Sequence, residues 1–478
     1  MPLLSLRYLV QRLEDKVGEA VRLLRDELGD DKVITDPNVV MLYSREPDGL
    51  AHQANAVVFP STPDEVSRVV ATSYSYEVPI YPQGSSSSLS GNAVPLKGGL
   101  VLSLERMSSI LDVSLADSVA DVEPGVRIDD LNVELSKVGY MFPVDPASQA
   151  VATVGGAINN GAGGMRGAKY GTMRDWVNGL EVVLADESGT RLWLGCRTVK
   201  CREGYDLVRL IVGSEGTLAV VTRAALRIAP LPEKVVTALA FFDDIGSLMK
   251  AYMAIKTSRV QPYIAEFMDA PTVRLASQAV SLPFEASSNM FLVSLESTPE
   301  SSERHLRWLE GVMRSSGARN VYTADNDKDA EPLYQLRRSL FPAQVNMFRR
   351  PGRPFQLLIE DIVVPPSRVP EAIRELRALD DKYGLTSSLG GHIGDGNLHP
   401  AIGFDPTDPE STKVALQWFD DVVDIALRLG GAVSAEHGIG VIKREALRRA
   451  VGDRQLELMR SIKAAFDPRG ILNPGKLF

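Results

Sequence analysis

The segment GGHIGDGNLH, residues 390–399, places two histidines seven positions apart around a turn of Gly, Asp and Asn, in a chain with only five histidines. If Gly394–Asn397 forms a four-residue hairpin turn, His392 lies directly opposite His399. Opposed residues have β-carbons about 5 Å apart, so the two imidazoles would reach one metal ion or one anionic substrate. The alternative is a tight turn with two polar residues on a solvated hairpin face.

A second motif, AVSAEHGIG at 432–440, places Glu436 and His437 after a predicted helix that is closed by two glycines. Two histidines and one glutamate form a recurring ligand set for a catalytic divalent metal with open coordination positions. We therefore predict His392, His399 and Glu436 as metal ligands. His437 is then available as a general base, since the pKa of an imidazole lies close to neutral.

Three loops are rich in glycine and hydroxyl groups: YPQGSSSSLSGNAVP (81–95), TVGGAINNGAGGMRG (153–167) and GSEGTLAVVT (213–222). Glycines let backbone N–H groups approach a phosphate without side chains in the way. None contains G-x-G-x-x-G, so the fold that binds NAD is not supported. Three such loops together indicate a large ligand with a diphosphate, and FAD fits that description.

Composition is that of an ordinary globular protein, with 44% hydrophobic and 24% charged residues. A chain of 478 residues predicts two or three domains. The net charge of -9 argues against a protein that binds nucleic acid or anionic lipid.

The N-terminal region has leucines and valines at helical spacing between residues 4 and 28. This pattern predicts an amphipathic helix packed on the body of the protein, with peripheral docking on a membrane surface as the alternative. No apolar run reaches the roughly 18 residues that span a bilayer, so we expect a soluble, cytoplasmic protein.

The chain has two cysteines, Cys196 and Cys201, too few for an iron–sulfur cluster held by four thiolates. Their spacing permits a disulfide, but an intracellular chain favours the reduced pair.

Short apolar runs alternate with predicted helices from 55 to 230, which is an α+β pattern. From 231 to 404 the glycine-rich motifs are replaced by amphipathic helices and the strand-like FQLLIEDIVVP, and the chain after 405 is largely helical. We place a boundary at Pro230-Leu231-Pro232, before a second, interposed domain.

The ordered motifs resemble those of the FAD-linked oxidase family of vanillyl-alcohol-oxidase (PCMH) type. They are Pro-x-Gly…Ser-Gly (82–91), VEPGV (122–126), PVDPAS (143–148), VGGAINNGAGG, KYGTMRDWVNGLEVV, GSEGTLAVVT, GHIGDGNLH, EHGIG and DPRGILNPGK. The nearest branch contains flavin-dependent D-lactate dehydrogenases, the catalytic subunit of glycolate oxidase and D-2-hydroxyglutarate dehydrogenase.

The resemblance implies an α+β protein with a two-part FAD-binding domain and an interposed α+β cap domain that holds substrate. Residues 1–230 would form the N-terminal part of the FAD domain, 231–425 the cap domain, and 426–478 a C-terminal segment that returns to the FAD domain.

The resemblance also assigns roles to individual residues. The FAD-binding residues carried over are Pro82, Gly84, Ser85, Ser86, Ser87, Ser88, Gly91, Pro146, Gly155, Gly156, Asn159, Gly163, Tyr170, Glu215, Gly216 and Asn473. His392, His399 and Glu436 would hold a divalent ion of Zn, Mn or Fe. His437 would be the catalytic base, and Arg337 in LYQLRRS would bind the substrate carboxylate.

Three positions depart from the family pattern. Relatives have Arg-Gly-x-Gly-Thr where this chain has QGSSS at 83–87. No histidine or cysteine lies where some relatives attach flavin covalently, so we expect non-covalent FAD. Hydroxyglutarate dehydrogenases carry an asparagine where this chain has Ala401, which favours a smaller acid.

The implied activity is oxidation of a D-2-hydroxy acid, above all D-lactate to pyruvate, by hydride transfer to flavin. Electrons would leave to a quinone, a cytochrome or an electron-transfer flavoprotein, and a homodimer is an open alternative to a monomer. The rivals are D-2-hydroxyglutarate or glycolate dehydrogenase, a non-redox flavoenzyme of alkylglycerone-phosphate-synthase type, and a flavin-free binding subunit.

Overall fold

The computed structural model describes residues 3–47, 49–349 and 352–478, with side chains from residue 15 onward. Two compact units are formed. Unit 1 comprises the chain up to Ala162, Thr172–Pro230 and Glu436–Phe478, and unit 2 comprises Gly163–Gly171 and Leu231–Ala435.

Unit 2 resumes after Pro230 and the chain returns to unit 1 at Glu436, whereas the C-terminal segment of the sequence-based division begins at residue 426. Ala432 still pairs with Val363 of unit 2, and this keeps the intervening residues in that unit. The segment Gly163–Gly171, predicted within the FAD domain, also belongs to unit 2.

Up to Pro230 the elements are, in chain order, α1 (Leu3–Leu28), β1 (Val33–Ile34), α2 (Pro37–Leu42), β2 (Ala56–Val58), α3 (Pro63–Tyr76), β3 (Ile80–Gln83), β4 (Leu100–Ser103), β5 (Ile110–Ser114), β6 (Val119–Val122), α4 (Ile128–Ser136), β7 (Tyr140–Met141), α5 (Val154–Asn160), α6 (Gly167–Tyr170), α7 (Met173–Trp176), β8 (Val177–Val183), β9 (Arg191–Gly195), α8 (Val208–Ile211), β10 (Val220–Arg227) and β11 (Ala229–Pro230).

The remaining elements are β12 (Lys234–Phe242), α9 (Ile245–Lys256), β13 (Ile264–Met268), α10 (Ala270–Ala279), β14 (Asn289–Ser297), α11 (Ser302–Ser315), β15 (Asn320–Ala324), α12 (Asp327–Arg338), α13 (Leu340–Phe348), β16 (Gln356–Ile359), β17 (Ile362–Val363), a 3₁₀ turn (Pro366–Arg368), α14 (Val369–Tyr383), β18 (Ser388–Gly391), β19 (Asn397–Phe404), α15 (Pro409–Arg428) and α16 (Arg444–Phe466).

Unit 1 contains two main sheets. The first has the order β1-β2-β4-β3, with β2, β4 and β3 parallel, and the second is antiparallel with the order β5-β6-β10-β8-β9. The helix α3 begins at Pro63, because the Thr62 side chain accepts from the backbone N–H of Glu65 and proline fits the first turn.

The N-terminal helix α1 packs one face into the core of unit 1. Within its described side chains the buried positions are Val17, Ala20, Val21, Leu24 and Leu28, a spacing of three and four residues. The predicted amphipathic helix is therefore confirmed from residue 15 onward, while the side chains before it lie outside the described residues. Among the described helices, none has the combined length and hydropathy for a membrane crossing.

The two cysteines are bonded to each other, so the expected reduced pair is wrong. Cys196 follows β9 directly, and the turn to Cys201 brings the two Cα atoms to 5.9 Å, within the range that a disulfide bridges.

Unit 2 is built on one eight-stranded sheet with the order β15-β12-β14-β13-β18-β19-β16, and β17 also pairs with β19. Helices cover both faces. Phe291 and Leu292, adjacent on β14, show this: the Phe291 ring centroid lies 6.3 Å from that of Tyr252 on α9, while Leu292 packs in a cluster with Val273 of α10 and Leu336 of α12. The predicted interposed α+β region is confirmed in its mixed helix and sheet content.

We predict that Leu24→Ala lowers the free energy of unfolding by about 2–5 kcal/mol, because it leaves a cavity in the core of unit 1. Leu24 is 0% exposed, whereas Leu458 on α16 is 52% exposed and serves as the matched control. Urea unfolding of Leu24→Ala and Leu458→Ala measures both. Equal losses in the two variants would contradict the packing of α1.

Candidate active site

The histidine hairpin lies in unit 2, where β18 and β19 pair with Gly390 opposite His399. His392 is therefore not directly opposite His399, and the predicted register is wrong by two residues. The reason is the turn, which closes one residue earlier than predicted: the N–H of Asn397 donates to the carbonyl of His392 at 3.2 Å, and Gly396 takes φ 97°.

The two imidazoles nevertheless meet. Because side chains alternate along a strand, a two-residue shift keeps both histidines on one face of the hairpin. Their ring centroids lie 5.2 Å apart with the planes nearly perpendicular, and both residues are buried. The alternative of a solvated hairpin face is therefore excluded.

A buried carboxylate orients His392. Nδ1 of His392 lies 2.8 and 2.9 Å from the two carboxylate oxygens of Glu266, which is fully buried on β13. A carboxylate only accepts, so Nδ1 carries a proton and donates it, and in the neutral ring the lone pair is then on Nε2. This arrangement is the usual environment of a metal-binding histidine, and the donor set fits a divalent ion.

Arg337 shares the same carboxylate. Its Nε donates to Oε2 of Glu266 at 2.6 Å, and its side chain at the end of α12 is buried, with 7% of the residue exposed. Arg337 is therefore not an exposed arginine on the surface of a helix. The attraction between the guanidinium and the carboxylate offsets the free-energy cost of burying both charges. The contact also fixes the orientation of the planar guanidinium of Arg337.

A second buried carboxylate, Asp361, lies between β16 and β17. Its oxygens accept from Nδ2 of Asn397 at 2.9 Å, the hydroxyl of Ser434 at 2.8 Å and the N–H of Ala435 at 2.8 Å. Its Oδ1 is 3.7 Å from Nδ1 of His399. Asp361 therefore braces the residue that immediately precedes Glu436.

Sequence analysis missed Glu266 and Asp361. Both are acidic residues inside apolar runs, IAEFM and LLIEDIVV, and both are fully buried. An acidic residue within an apolar run was the feature of the sequence that could have indicated a functional role. A carboxylate in a buried strand needs a partner that offsets its burial.

The turn of the hairpin is tightly packed within unit 2. Nζ of Lys256 donates to the carbonyl of Gly394 at 2.6 Å, and a β-carbon on Gly394 would lie 2.6 Å from that of Ala168 in α6. Gly163 and Tyr170, two predicted FAD-binding residues, lie in this same segment of unit 2. The Tyr170 hydroxyl bonds the Glu296 carboxylate, and burial and that carboxylate raise the pKa of Tyr170.

The other predicted FAD-binding residues and both residues of the EH motif lie in unit 1: Pro82, Gly84, Ser85, Ser86, Ser87, Ser88, Gly91, Pro146, Gly155, Gly156, Asn159, Glu215, Gly216, Glu436, His437 and Asn473. The structure brings the three glycine-rich loops into contact within this unit.

The first loop packs directly on the second and the third. A side chain at Gly84 would overlap the Thr153 hydroxyl, and the Cα of Gly156 is 3.5 Å from that position. The ring of Pro82 lies 3.6–3.7 Å from where a β-carbon of Gly216 would be. At Gly84 a β-carbon would overlap its neighbour, and at Gly216 the positive φ of 68° favours glycine. Such glycine-rich loops leave backbone N–H groups accessible to a diphosphate.

The second loop joins the third through main-chain bonds. The N–H of Gly155 donates to the carbonyl of Pro124 at 2.8 Å, and the carbonyl of Asn159 accepts from the N–H of Glu215 at 2.7 Å. These bonds fix α5 between the preceding VEPGV turn and the GSEG turn.

Glu46 shapes the serine-rich loop. Its carboxylate accepts from the Ser88 hydroxyl at 2.7 Å, the N–H of Gly91 at 2.7 Å and the N–H of Ala93 at 2.6 Å. Glu46 is another residue that sequence analysis missed, since nothing in its local sequence marks it.

The hydroxyls of the loop face one another and the PVDPAS turn. The Ser87 hydroxyl lies 3.4 Å from those of Ser85 and Ser148, and the Ser148 turn is closed by a bond from the N–H of Gln149 to the carbonyl of Pro146 at 2.8 Å.

Gln83 occupies the position where relatives carry arginine. Its Nε2 donates to the carbonyl of Tyr43 at 3.0 Å and to the hydroxyl of Ser86 at 2.9 Å. This brace holds Ser86 in a left-handed conformation with φ 54°, so the loop is ordered by a neutral amide.

The EH motif opens the last chain segment of unit 1. The Nδ2 of Asn160 donates to the carbonyl of Glu436 at 2.6 Å, and Nε2 of the half-buried His437 lies 4.0 Å from Oε1 of Glu436. The two oxygens of Glu215 accept from the N–H groups of Ile439 and Gly440 at 2.6 and 2.8 Å.

Asn473, from the end of the chain, completes the cluster. Its Nδ2 donates to the carbonyl of Asn92 at 2.8 Å and to that of Glu215 at 2.5 Å. The predicted C-terminal segment thus contacts two of the loops in unit 1.

Burial raises the pKa of Glu215 to about 7, although its two N–H donors and the nearby charge of Lys476 oppose the shift. Burial lowers the pKa of Lys476 to about 8. Because the folded protein binds the proton of Glu215 more tightly than the unfolded chain does, the associated stability is fully present below pH 4.5 and is lost as the pH rises through about 7.

We predict that Glu215→Gln removes this pH dependence. Between pH 6 and pH 8 the wild type should lose about 1 kcal/mol of unfolding free energy relative to Glu215→Gln, since a shift of one pKa unit corresponds to about 1.4 kcal/mol. Urea unfolding at the two pH values measures it, with the exposed Glu187→Gln as control. Parallel profiles for wild type and Glu215→Gln would contradict the raised pKa.

Comparison with known proteins agrees with this geometry. Residues 54–195 match the FAD binding domain family, and residues 231–477 match the family described as FAD linked oxidases, C-terminal domain. The chain belongs to the FAD-linked oxidase family, and FAD is the cofactor of its binding domain.

The chain is 36% identical over 425 residues to glycolate oxidase subunit GlcD of Bacillus subtilis, which covers 89% of each chain. It is 34% identical over 461 residues to a D-lactate dehydrogenase of Archaeoglobus fulgidus, which covers 95% of this chain and 98% of the relative. A crystal structure of p-cresol methylhydroxylase with substrate bound matches 97% of each chain with a TM-score of 0.77 at 19% identity. The predicted PCMH-type fold is therefore confirmed.

Proposed function

We propose that the protein oxidises a small D-2-hydroxy acid, with D-lactate as the first candidate, to the corresponding 2-oxo acid. The observation that carries the proposal is the buried cluster of Glu266, Arg337 and His392 in unit 2, which combines a fixed guanidinium with a histidine whose Nε2 carries a lone pair. FAD supplies the acceptor for the hydride that leaves the α-carbon.

Arg337 binds the substrate carboxylate in this proposal. Since Nε is engaged by Glu266 at 2.6 Å, the terminal nitrogens of the guanidinium make the contact. The carboxylate of Glu266 prevents rotation of the guanidinium, which orients the bound acid.

The proposed metal ligands are His392, His399 and Glu436, with Zn, Mn or Fe as the ion. The pairing of the histidine rings within 5.2 Å and the Glu266 bond to Nδ1 of His392 support the histidine part, and Glu436 is proposed from its motif. A divalent ion held by these residues would supply Lewis acidity, which would lower the pKa of the substrate hydroxyl.

His437 is the proposed general base. It removes the hydroxyl proton as the α-hydrogen leaves, so that no charged alkoxide accumulates. Asn160 and Glu215 support its segment on either side through the bonds to Glu436, Ile439 and Gly440.

A small acid is favoured by Ala401. This residue is fully buried on β19, where it pairs with Ser388 on one side and Ile359 on the other. A methyl group at that position offers no hydrogen bond to a second substrate carboxylate. We propose a quinone, a cytochrome or an electron-transfer flavoprotein as the electron acceptor.

We predict that D-lactate bleaches the visible flavin band of the purified protein under anaerobic conditions and that L-lactate does not. With the carboxylate and the hydroxyl both fixed, only one enantiomer directs its α-hydrogen toward the flavin. The absorbance spectrum before and after each addition measures this.

Other outcomes identify the alternatives. Bleaching only by D-2-hydroxyglutarate or glycolate would replace the substrate. A flavin that no hydroxy acid reduces, in a protein that binds acyl-dihydroxyacetone phosphate, would favour the non-redox exchange. A protein without a flavin band would point to a binding subunit.

We predict that stripping divalent metal with a chelator abolishes flavin reduction and that adding back Zn²⁺, Mn²⁺ or Fe²⁺ restores it. His399→Ala should lose both the bound metal and the reduction, while the exposed His52→Ala keeps both. Elemental analysis alongside the anaerobic spectrum measures them. Full activity in a protein shown to be metal-free would refute the ligand assignment.

A further inference from the structure

The segment from Glu436 to Val441 carries the proposed base, and it has neither helical nor strand hydrogen bonding. A segment of this kind has no repeating backbone partners, so its position depends on contacts with side chains and with other loops. Residues of unit 1 contact the segment at successive points, and one of these contacts is the N–H of Leu477, which donates to the carbonyl of Gly440 at 3.2 Å.

At the start of the segment, Nδ2 of Asn160 donates a hydrogen bond to the carbonyl of Glu436 at 2.6 Å. At its end, the N–H of Val441 donates to the carbonyl of Ser90 at 2.8 Å. Between them Glu215 accepts from Ile439 at 2.6 Å and Gly440 at 2.8 Å, one oxygen for each N–H. Glu215 is thus the side chain that binds the main chain immediately after His437.

Gly438 shows how closely this side chain approaches. A β-carbon there would lie 2.5 Å from Nδ2 of Asn92, 2.9 Å from Oε1 of Glu215 and 3.1 Å from Oδ1 of Asn160, and the residue has φ 84°. A side chain next to His437 would therefore displace the ends of the Asn92 and Glu215 side chains, and the positive φ favours glycine at this position.

Glu215 is itself held in place. Its backbone adopts φ 53°, which a non-glycine residue rarely takes, its N–H donates to Asn159 at 2.7 Å, and its carbonyl accepts from Asn473 at 2.5 Å. The side chain is buried, with 5% of the residue exposed. Because the carboxylate of Glu215 is held in place, it also fixes the position of the main chain whose N–H groups it accepts from.

We propose that Glu215 is a positioning residue for His437, acting through the main chain of Ile439 and Gly440, rather than a direct ligand of the flavin. Both of its oxygens already accept from this main chain, so the role implied by the family resemblance is reassigned. The inference rests on the proposed function only in naming His437 as the base.

The first experiment measures hydrogen exchange of peptides covering residues 436–441 in the FAD-loaded protein. We expect slow exchange of the two amides in the wild type. In Glu215→Gln we expect at least tenfold faster exchange, because the amide NH₂ cannot accept from a second N–H. Glu187→Gln, which removes the same charge from an exposed turn of unit 1, should match the wild type.

The second experiment is anaerobic flavin reduction by D-lactate in a stopped-flow instrument. We expect Glu215→Gln to keep the FAD content, the flavin spectrum and the substrate concentration for half-saturation. The limiting reduction rate should fall about 10- to 100-fold, as expected when a base is misplaced but substrate binding is intact. A merely structural change would alter FAD content or substrate affinity as well.

Two results would overturn the inference. One is rapid exchange of these amides in the wild type, or protection that survives in Glu215→Gln. The other is a variant that binds FAD more weakly yet, once saturated with FAD, is reduced at the wild-type rate, which would make Glu215 a flavin ligand.

Failure of the proposed function has a different signature. In that case no D-2-hydroxy acid would reduce the flavin of the wild type, while the exchange measurement still decides whether Glu215 holds the segment.

Discussion

Buried carboxylates that accept from main-chain N–H groups hold the irregular segments of this protein. Glu46 does so for the serine-rich loop, Glu215 for the segment after His437, and Asp361 for the residue before Glu436. A buried N–H without an acceptor costs about 1–3 kcal/mol, so segments outside helices and strands need such partners when they are not solvated. Without these acceptors the glycine-rich loops would have flexible backbones and no defined site.

Burying a carboxylate is unfavourable in itself, and each unit contains a basic group that offsets the cost. In unit 2 the guanidinium of Arg337 bonds Glu266 directly. In unit 1 the ammonium of Lys476 interacts favourably with both Glu46 and Glu215, and it donates to the carbonyl of Val94 at 2.6 Å. Each cluster therefore combines charge compensation with hydrogen bonds, the condition under which buried charge is tolerated.

Sequence patterns predicted the features that depend on residues close to one another in the sequence. The buried face of α1 and the glycine-rich loops follow from spacing and residue type within a short window. The proximity of His392 and His399 was also predictable, since a hairpin joins them. The exact pairing was not, because the observed loop, residues 393–396, includes the apolar Ile393, whereas the composition rule selects the polar run Gly394–Asn397.

The partners that complete the site are distant in sequence. Glu266 lies 126 residues before His392, and Asn160 lies 276 residues before Glu436. No periodicity connects such positions, so only the fold reveals that the acidic residue of IAEFM orients a histidine. The disulfide and the membership of Gly163–Gly171 in unit 2 likewise depend on how the backbone turns in space.

The discontinuity of unit 1 has a consequence for biosynthesis. Asn473 contacts the carbonyl of Asn92, 381 residues earlier, so the loops of unit 1 acquire this support only after the whole of unit 2 has been translated. Contacts of such long sequence separation form slowly, because the intervening chain must first be closed into a loop. Apart from Gly163–Gly171, unit 2 is the continuous stretch Leu231–Ala435, which can collapse before residues 436–478 are translated. The nascent chain therefore exposes an incomplete nucleotide-binding half until residues 436–478 have been translated and have joined unit 1.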